Sequence, residues 1–395
     1  MNSIMSTYAR LPVTFDRGEG AYLFDTEGKR YLDAMCGIAV TSLGHSHAGV
    51  AEAICDQAGK LIHTSNLYHI ANQTNLGNKL CELSGMDSVF FANSGAEANE
   101  AAIKLARLYG KGLGVETPNI IVMEGSFHGR TLATLSATGS RKVRAGFSPL
   151  LSGFVRVPYN DIAAIETTAK NNKDVVAVLV EPIQGEGGII VPDEGYLTKL
   201  RAICDQNNWL LMVDEIQSGM SRTGKWFGFQ HEAVKPDVMT LAKALGNGVP
   251  IGACLAAESV SGVLKAGTHG STFGGNPLST RAGLAVIEAM ESGDIKENAE
   301  KMGHYLHTQL QEGLSDVDGV TTIRSKGLML GIVLDRDCGE LVMQALEAGL
   351  LINVTAGNVV RLLPPLTLTQ EQADEMIKIL ITIITAFLKS SEYRI

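Results

Sequence analysis

Residues 209–217 read WLLMVDEIQ, a short apolar run that leads into two acidic residues. An apolar run of this length without polar alternation is typical of a strand that is buried on both faces. Two similar runs flank it, VVAVLVEP at 175–182 and VMTL at 238–241. Between the run at 175–182 and the run at 209–217, residues 195–208 (GYLTKLRAICDQNN) have the pattern of a helix. These runs predict parallel strands joined by helices.

The same alternation extends outward from this region. Strand-like runs occur at 88–92 (SVFFA), 119–123 (NIIVM) and 252–257 (GACLAA), and EANEAAIKLARLYG at 97–110 predicts another helix. Alternating strands and helices with nearly continuous apolar strands indicate helices on both faces of the sheet. We therefore predict an α/β fold with a mostly parallel sheet.

Three segments are predicted along the chain. Residues 1–45 have the pattern of short strands and turns, and we assign them to the same small domain as the C-terminal residues. Residues 46–275 contain the apolar runs and form the large domain. The remaining residues, 276–395, begin with a long helical pattern that mixed helices and short strands follow. We predict a smaller α+β domain there.

Composition and charge argue against several classes of function. The 395 residues are 45% apolar and carry a net charge of −9 without a basic stripe, so we expect neither nucleic acid nor an anionic membrane as partner. The longest apolar runs are only as long as strands, so no membrane span is expected. Six widely separated cysteines and an N-terminus without the apolar core of a signal peptide favour the cytoplasm.

Ligands of open parallel sheets bind beyond the carboxyl ends of the strands, so the residues there are candidates. Asp214 ends a strongly apolar strand, and a buried carboxylate needs a partner such as a protonated pyridine nitrogen. A helix cap or a metal ligand are the alternatives for it. Lys243 follows the run at 238–241 among apolar residues, where desolvation lowers the pKa and favours a nucleophilic amine. A lysine that reaches the surface is the alternative.

A phosphate site is predicted after the run at 88–92. Gly95 and Ala96 open a helix there, and small residues at a helix N-terminus let backbone N–H groups approach an anion. The alternative is a plain helix cap by Ser94, with Glu97 completing a capping box.

Two further loops contribute an aromatic ring and charged groups. Phe127 and Arg130 follow the run at 119–123 and suit a flat ring and a carboxylate, respectively; an ordinary surface turn is the alternative. Glu186 follows the run at 175–182 among three glycines, and a flexible loop is the alternative. A phosphate cradle, a stacking ring, an acid for a pyridine nitrogen and a nucleophilic lysine together describe a site for pyridoxal 5'-phosphate (PLP).

The chain resembles the class III aminotransferases of PLP fold type I, and among them the acetylornithine aminotransferase group. The likeness runs nearly end to end and is most specific in NSGAEANEAAIKLAR, FHGRTLATLSATG, EPIQGEGG, VDEIQSGMSRTGKWFGFQ, TLAKALGNGVPIGA and HGSTFGGNPL. It implies that Lys243 holds PLP as a Schiff base and acts as the proton carrier. It further implies that Asp214 pairs with the ring nitrogen. The other cofactor contacts that it implies are Phe127 over the ring, Gln217, and Gly95 and Ala96 at the phosphate.

The resemblance also implies a homodimer with the site at the interface. Thr272 is expected to reach the phosphate from the other subunit, and Ser271 to lie at the substrate. Arg130 is expected to bind a substrate carboxylate. Glu186 and Arg361 are expected to form a switch. Paired, they admit an ω-amino substrate; separated, they free Arg361 for the distal carboxylate of 2-oxoglutarate.

The reaction implied is transfer of the terminal amino group of N2-acetylornithine to 2-oxoglutarate, giving N-acetylglutamate semialdehyde and glutamate. Succinylornithine, succinyl-diaminopimelate, ornithine and 4-aminobutyrate remain alternative donors. A PLP racemase, mutase or decarboxylase is a second class of function, and a non-catalytic binding protein is a third. A switch between two substrates favours transamination. No metal site is expected, because His45 and His47 lack further ligands nearby.

Overall fold

The structure, a computed structural model, describes residues 3–391, with side chains as far as residue 389. The strands of this part of the chain are β1 (Phe15–Glu19), β2 (Tyr22–Asp25), β3 (Arg30–Asp33), β4 (Ser88–Ala92), β5 (Asn119–Met123), β6 (Phe154–Val157), β7 (Val175–Val180), β8 (Leu210–Asp214), β9 (Val238–Leu241), β10 (Gly252–Ala256), β11 (Val320–Lys326), β12 (Met329–Leu334), β13 (Leu350–Leu351), β14 (Asn353–Thr355) and β15 (Val359–Leu362). The helices are α1 (Cys36–Ala39), α2 (Ala48–Lys60), α3 (Ala71–Ser84), α4 (Gly95–Gly112), α5 (Leu132–Ala137), α6 (Arg141–Arg144), α7 (Ile162–Asn171), α8 (Tyr196–Asn207), α9 (Pro277–Ser292), α10 (Ile295–Gly313), α11 (Leu341–Glu347) and α12 (Gln370–Ser391). Two short 3-10 helices cover Gly228–His231 and Lys243–Gly246.

The large sheet has seven strands in the order β4-β10-β9-β8-β7-β5-β6. Only β10 runs against the others, so the prediction of a mostly parallel sheet is confirmed. All six runs that the sequence predicted as strands belong to this sheet. The edge strand β6 was not predicted from the sequence. Its residues FVRV are mostly half-buried and include Arg156, so it lacks a continuous apolar run.

The central strands are buried on both faces because successive side chains point to opposite sides. On β8, Leu210 and Met212 join the apolar cluster around α4, whereas Leu211 and Val213 join the cluster that includes α8. Burial of each such side chain contributes about 1.5–3 kcal/mol. The continuous apolar pattern of this strand follows from having helices on both sides.

Two smaller sheets complete the described fold. One has the order β1-β2-β3-β13 and the other β11-β12-β15-β14, and α10, α11 and α12 pack beside them. The division of the chain into residues 1–45, 46–275 and 276–395 stays a prediction. The parallel pairing of β3 with β13 supports assigning the first segment to the C-terminal domain. Within residues 3–391, no helix has both the length and the apolar character needed to span a membrane.

Arg222 is a buried cation that ties three parts of the chain together. Its Nη2 donates to the hydroxyl of Ser42 at 2.7 Å, and its Nη1 donates to the carbonyl of Leu328 at 3.3 Å. Nη1 also donates to the carbonyl of Pro364. Burial lowers the pKa of Arg222 to about 10, because the charged guanidinium loses its hydration. Its hydrogen bonds compensate for part of this loss.

Replacing Arg222 with Met is expected to destabilise the protein, because the acceptors that it serves lose their donor. Each unsatisfied buried polar group costs about 1–3 kcal/mol. Arg17→Met is the matched control, since the Arg17 side chain is 57% exposed and an exposed ion pair contributes about 0–1 kcal/mol. Urea unfolding followed by tryptophan fluorescence measures both variants. Equal unfolding midpoints would contradict the role of Arg222.

Candidate functional site

A cavity of about 390 Å³ lies where the loops after β4, β5, β7, β8 and β9 meet. The carboxyl ends of parallel strands face the same edge of a sheet, so these loops are brought together by the sheet itself. The residues of the predicted site that line this cavity are Gly95, Ala96, Phe127, Arg130, Glu186, Asp214, Gln217 and Lys243.

The carboxylate of Asp214 is buried and surrounded by donors. Nδ2 of Asn99 and Nδ1 of His128 both reach its Oδ2, at 2.8 and 2.7 Å. The backbone N–H of Ile216 donates to Oδ1 at 3.1 Å. Thr240 donates to the side-chain oxygen of Asn99 at 2.8 Å and so orients its amide toward Asp214. Because each carboxylate oxygen has two lone pairs, Oδ1 retains capacity for a further donor.

Lys243 lines the cavity from the loop after β9. Its backbone φ is 45°, in the left-handed region that residues other than glycine adopt uncommonly. Burial lowers the pKa of Lys243 to about 8; the Glu186 carboxylate opposes this shift and the Arg361 guanidinium adds to it. At neutral pH the neutral amine is therefore much more abundant than in an ordinary lysine.

Glu186 and Arg361 form an ion pair at the cavity. Nη1 of Arg361 donates to Oε1 of Glu186 at 2.5 Å, and its Nε donates to Oδ1 of Asn353 at 2.9 Å. Arg361 is wholly buried on β15, while the Glu186 side chain is 34% exposed and lines the cavity. Nη2 of Arg361 has no hydrogen-bond partner among the described residues, so it has donors available for another acceptor.

Phe127, Arg130 and Gln217 face the same cavity with different chemistry. The Arg130 guanidinium lies 5.6 Å from the centre of the Phe127 ring, and Arg130 has no ion pair within the described part of the chain. Oε1 of Gln217 is buried without a partner among residues 3–391, so it is free to accept from a bound group. A Cβ on Gly185 would lie 2.3 Å from this oxygen, which explains a glycine there.

The start of α4 combines a helix cap with a potential anion site. The hydroxyl of Ser94 accepts from the N–H of Glu97 at 3.2 Å, as in the plain cap considered above. The N–H groups of Gly95 and Ala96 belong to the first helical turn, where no intrahelical acceptor exists, and both residues line the cavity. The cap and a phosphate site are therefore compatible.

Three predicted residues do not line the cavity: Arg361, which is paired with the lining residue Glu186, and Ser271 and Thr272. Ser271 accepts from Nδ2 of Asn93, a lining residue, at 3.2 Å, but itself lines a neighbouring pocket of about 400 Å³ with Asn66. Thr272 is exposed. Their roles at the substrate and at the phosphate of a second subunit stay predictions.

Three residues of this site were not singled out from the sequence: Asn99, His128 and Glu181. Glu181 lines the cavity, and burial raises its pKa to about 7, with His128 opposing the shift and Asp214 adding to it. His128 and Glu181 lie inside the motifs FHGR and EPIQGEGG, which gave a signal without a role. Asn99 lies within α4 and has no local signal, because only the folded chain brings it to Asp214.

Comparisons with known proteins show the family to which the chain belongs. The model of the family Aminotransferase class-III matches residues 4–384. The acetylornithine aminotransferase of Nitrosomonas europaea is 54% identical over 390 residues, which cover 99% of each chain. The crystal structure of the ornithine aminotransferase from Toxoplasma gondii ME49 has a TM-score of 0.95 and 34% identity, covering 98% of this chain and 94% of that one. For the acetylornithine aminotransferase from Elizabethkingia anophelis the values are 0.87 and 37%, covering 96% and 95%.

The chain belongs to the class III aminotransferases. Its fold is that of PLP fold type I, its cofactor is PLP, and the expectation of a PLP-dependent aminotransferase is confirmed.

We expect Asn99→Leu to weaken PLP binding, because Asp214 loses a donor that holds its carboxylate in place. A loss of about 1.4 kcal/mol corresponds to a tenfold higher dissociation constant. Titration of the apoenzyme with PLP, followed by visible absorbance, measures this constant. Asn171→Leu, at the exposed end of α7, is the matched control and should bind PLP as the wild type does. Equal affinities of the two variants would contradict the role of Asn99.

Proposed function

We propose that this enzyme transfers the terminal amino group of N2-acetylornithine to 2-oxoglutarate, giving N-acetylglutamate semialdehyde and glutamate for arginine biosynthesis. The observation that carries this proposal is one cavity lined by Lys243, the unpaired Arg130 and Glu186, with Arg361 paired to Glu186. The names of the relatives from Nitrosomonas europaea and Elizabethkingia anophelis support the choice of donor.

The polar groups at this cavity match the hydrogen-bonding groups of PLP. Asp214 has room for one more donor, Oε1 of Gln217 is a buried acceptor without a partner in the described structure, and the first turn of α4 offers N–H groups to a phosphate. Asp214, Phe127, Gln217 and the start of α4 would hold the cofactor, and Lys243 would attach it. When bound, PLP supplies the electron sink for charge that develops at the substrate carbon.

The protein's own residues would perform the acid-base steps and the binding steps. Lys243 is suited to accept a proton from the substrate carbon and to deliver it to the carbon of the cofactor, because its pKa lies close to neutrality. Asp214 would keep the pyridine nitrogen protonated, since a buried carboxylate stabilises a proton on its partner. Arg130 would bind the carboxylate that donor and acceptor share.

Glu186 and Arg361 would allow two substrates of different charge to use one cavity. N2-acetylornithine carries one carboxylate, which Arg130 would bind, and its other end is better received when Glu186 neutralises Arg361. 2-Oxoglutarate carries two carboxylates, and its second one needs Arg361 without Glu186. Burying the second carboxylate of 2-oxoglutarate is favourable when it pairs with the Arg361 guanidinium. A buried charge without a partner is costly, so Arg361 needs Glu186 when the substrate has no second carboxylate.

The proposal includes a homodimer in which Thr272 reaches the phosphate of the other subunit and Ser271 lies at the substrate. The exposure of Thr272 outside its own cavity supports this arrangement. A cytoplasmic location is proposed on the wide separation of the six cysteines in the sequence.

The PLP form of the enzyme is expected to react fastest with N2-acetylornithine. Stopped-flow absorbance of bound PLP would follow single turnovers with this donor, succinylornithine, succinyl-diaminopimelate, ornithine and 4-aminobutyrate in turn. Lys243→Ala should show no turnover with any of them. A faster reaction with another amine would replace the proposed donor and retain the reaction type.

Glu186→Gln is expected to slow the reaction with N2-acetylornithine much more than the reaction with 2-oxoglutarate. In the variant, Arg361 keeps its full charge beside a part of N2-acetylornithine that has no carboxylate. The second carboxylate of 2-oxoglutarate can still pair with the Arg361 guanidinium. We expect the ratio of the two single-turnover rate constants to change by about tenfold, which corresponds to about 1.4 kcal/mol. Glu194→Gln, at an exposed position, is the control. An unchanged ratio would contradict the switch.

A further inference from the structure

Two loops that line the cavity leave neighbouring strands of the large sheet. β5 and β7 pair in parallel, and the loop after β5 carries Phe127 while the loop after β7 carries Glu186. In the proposed reaction, the first residue packs on the cofactor and the second selects the substrate. Their relative position therefore depends on what holds the two loops to each other.

The side chain of Glu181 bridges these loops. Its Oε1 accepts from the backbone N–H of Phe127 at 2.9 Å, and its Oε2 accepts from the backbone N–H of Gly185 at 3.0 Å. Glu181 is buried, so neither N–H has ready access to water as a substitute acceptor. Each oxygen of one carboxylate thus fixes the backbone beside one of the two functional residues.

Gln184 ties the same loops a second time. Its Nε2 donates to the carbonyl of Glu124 at 2.7 Å. A Cβ on Gly125 would lie 2.9 Å from its Oε1, and one on Gly187 would lie 2.6 Å away. The loops close tightly around this amide, so they pack as one unit in which Glu181 supplies the contacts nearest to the cavity.

We propose that Glu181 is a positioning residue that sets the places of Phe127 and Glu186 together. The inference rests on the proposed function, because it concerns the choice between two substrates in that cavity. A carboxylate whose two oxygens are both engaged transmits a shift of one loop to the other. Movement of Glu186 away from Arg361 would therefore act on the ring that packs against the cofactor.

Protonation of Glu181 would make the contact between the two loops depend on pH. The titratable groups around it are His128 and Asp214, the phenol of Tyr159, which donates to the carbonyl of Glu181 at 3.0 Å, and Lys243 in the same cavity. With its pKa raised to about 7, the carboxyl gains a proton as the pH falls through neutrality. A protonated oxygen is a donor and no longer faces an N–H favourably, so one loop loses its contact.

Glu181→Gln tests the proposal, since the amide has the shape of the carboxylate but only one accepting oxygen. In the apoenzyme, hydrogen exchange followed by mass spectrometry should be at least tenfold faster in peptides that contain Phe127 or Gly185. In the holoenzyme, the ratio of the single-turnover rate constants with donor and with acceptor should change about fivefold or more, and this ratio should depend less on pH around pH 7 than in the wild type.

Glu215→Gln is the matched control. Glu215 is also buried, burial raises its pKa to about 7, and it accepts from the N–H groups of Gly228 at 2.9 Å and Phe229 at 2.7 Å, but it does not line the cavity. Its Gln variant should lose stability and exchange faster around residues 228–229, with an unchanged donor-to-acceptor ratio. Equal ratios in both variants, or wild-type exchange at Phe127 and Gly185 in Glu181→Gln, would overturn the positioning role.

Glu181→Asp covers the case in which the Gln variant does not fold. Its carboxylate keeps two accepting oxygens on a shorter arm, so we expect faster exchange in at least one of the two loops; wild-type exchange in both would overturn the proposal. The exchange experiment contains no substrate. A wild-type enzyme that reacts with none of the donors would therefore refute the proposed function, while the exchange rates would still decide whether Glu181 bridges the loops.

Discussion

The buried carboxylate of Asp214 is the constraint around which the cavity is arranged. A charge at the end of a strand that is apolar on both faces costs several kcal/mol unless donors surround it. These donors come from distant parts of the chain: Asn99 from α4, His128 from the loop after β5, and Thr240 on β9 acting through Asn99. Satisfying one carboxylate therefore fixes a helix, a loop and a neighbouring strand relative to one another.

The electrostatics of the cavity link its lysine to its ion pair. Lys243 owes its lowered pKa first to burial, and then to a balance in which Glu186 and Arg361 act in opposite directions. Glu186 lies in the loop after β7 of the large sheet, whereas Arg361 lies on β15 of a small sheet. The basicity of the lysine and the contact between these two parts of the protein are thus set by the same charges.

Sequence patterns predicted the fold well wherever one residue type repeats along an element. The six apolar runs were found because burial on both faces leaves a continuous signal, and β6 was missed because an edge strand lacks it. Seven of the residues that line the cavity were predicted because they end or follow those runs: Gly95, Ala96, Phe127, Arg130, Glu186, Asp214 and Lys243. Asn99 and Glu181 were missed because their importance depends on contacts with residues far along the chain. Ser271 and Thr272 stay predictions, since they concern a second subunit.

The reversed strand β10 has a consequence for anyone who wishes to reshape this cavity. A parallel strand after β9 would need a crossover of a dozen or more residues, whereas an antiparallel one needs only a short connection. The chain therefore turns back at the cavity after Lys243, and Val249, Pro250 and Ile251 form part of its wall before β10 begins. Lys243 and this wall lie on the same connection between β9 and β10. Changing the wall to admit bulkier substrates therefore risks displacing the side chain of Lys243. Engineering is better directed at the walls formed by other loops.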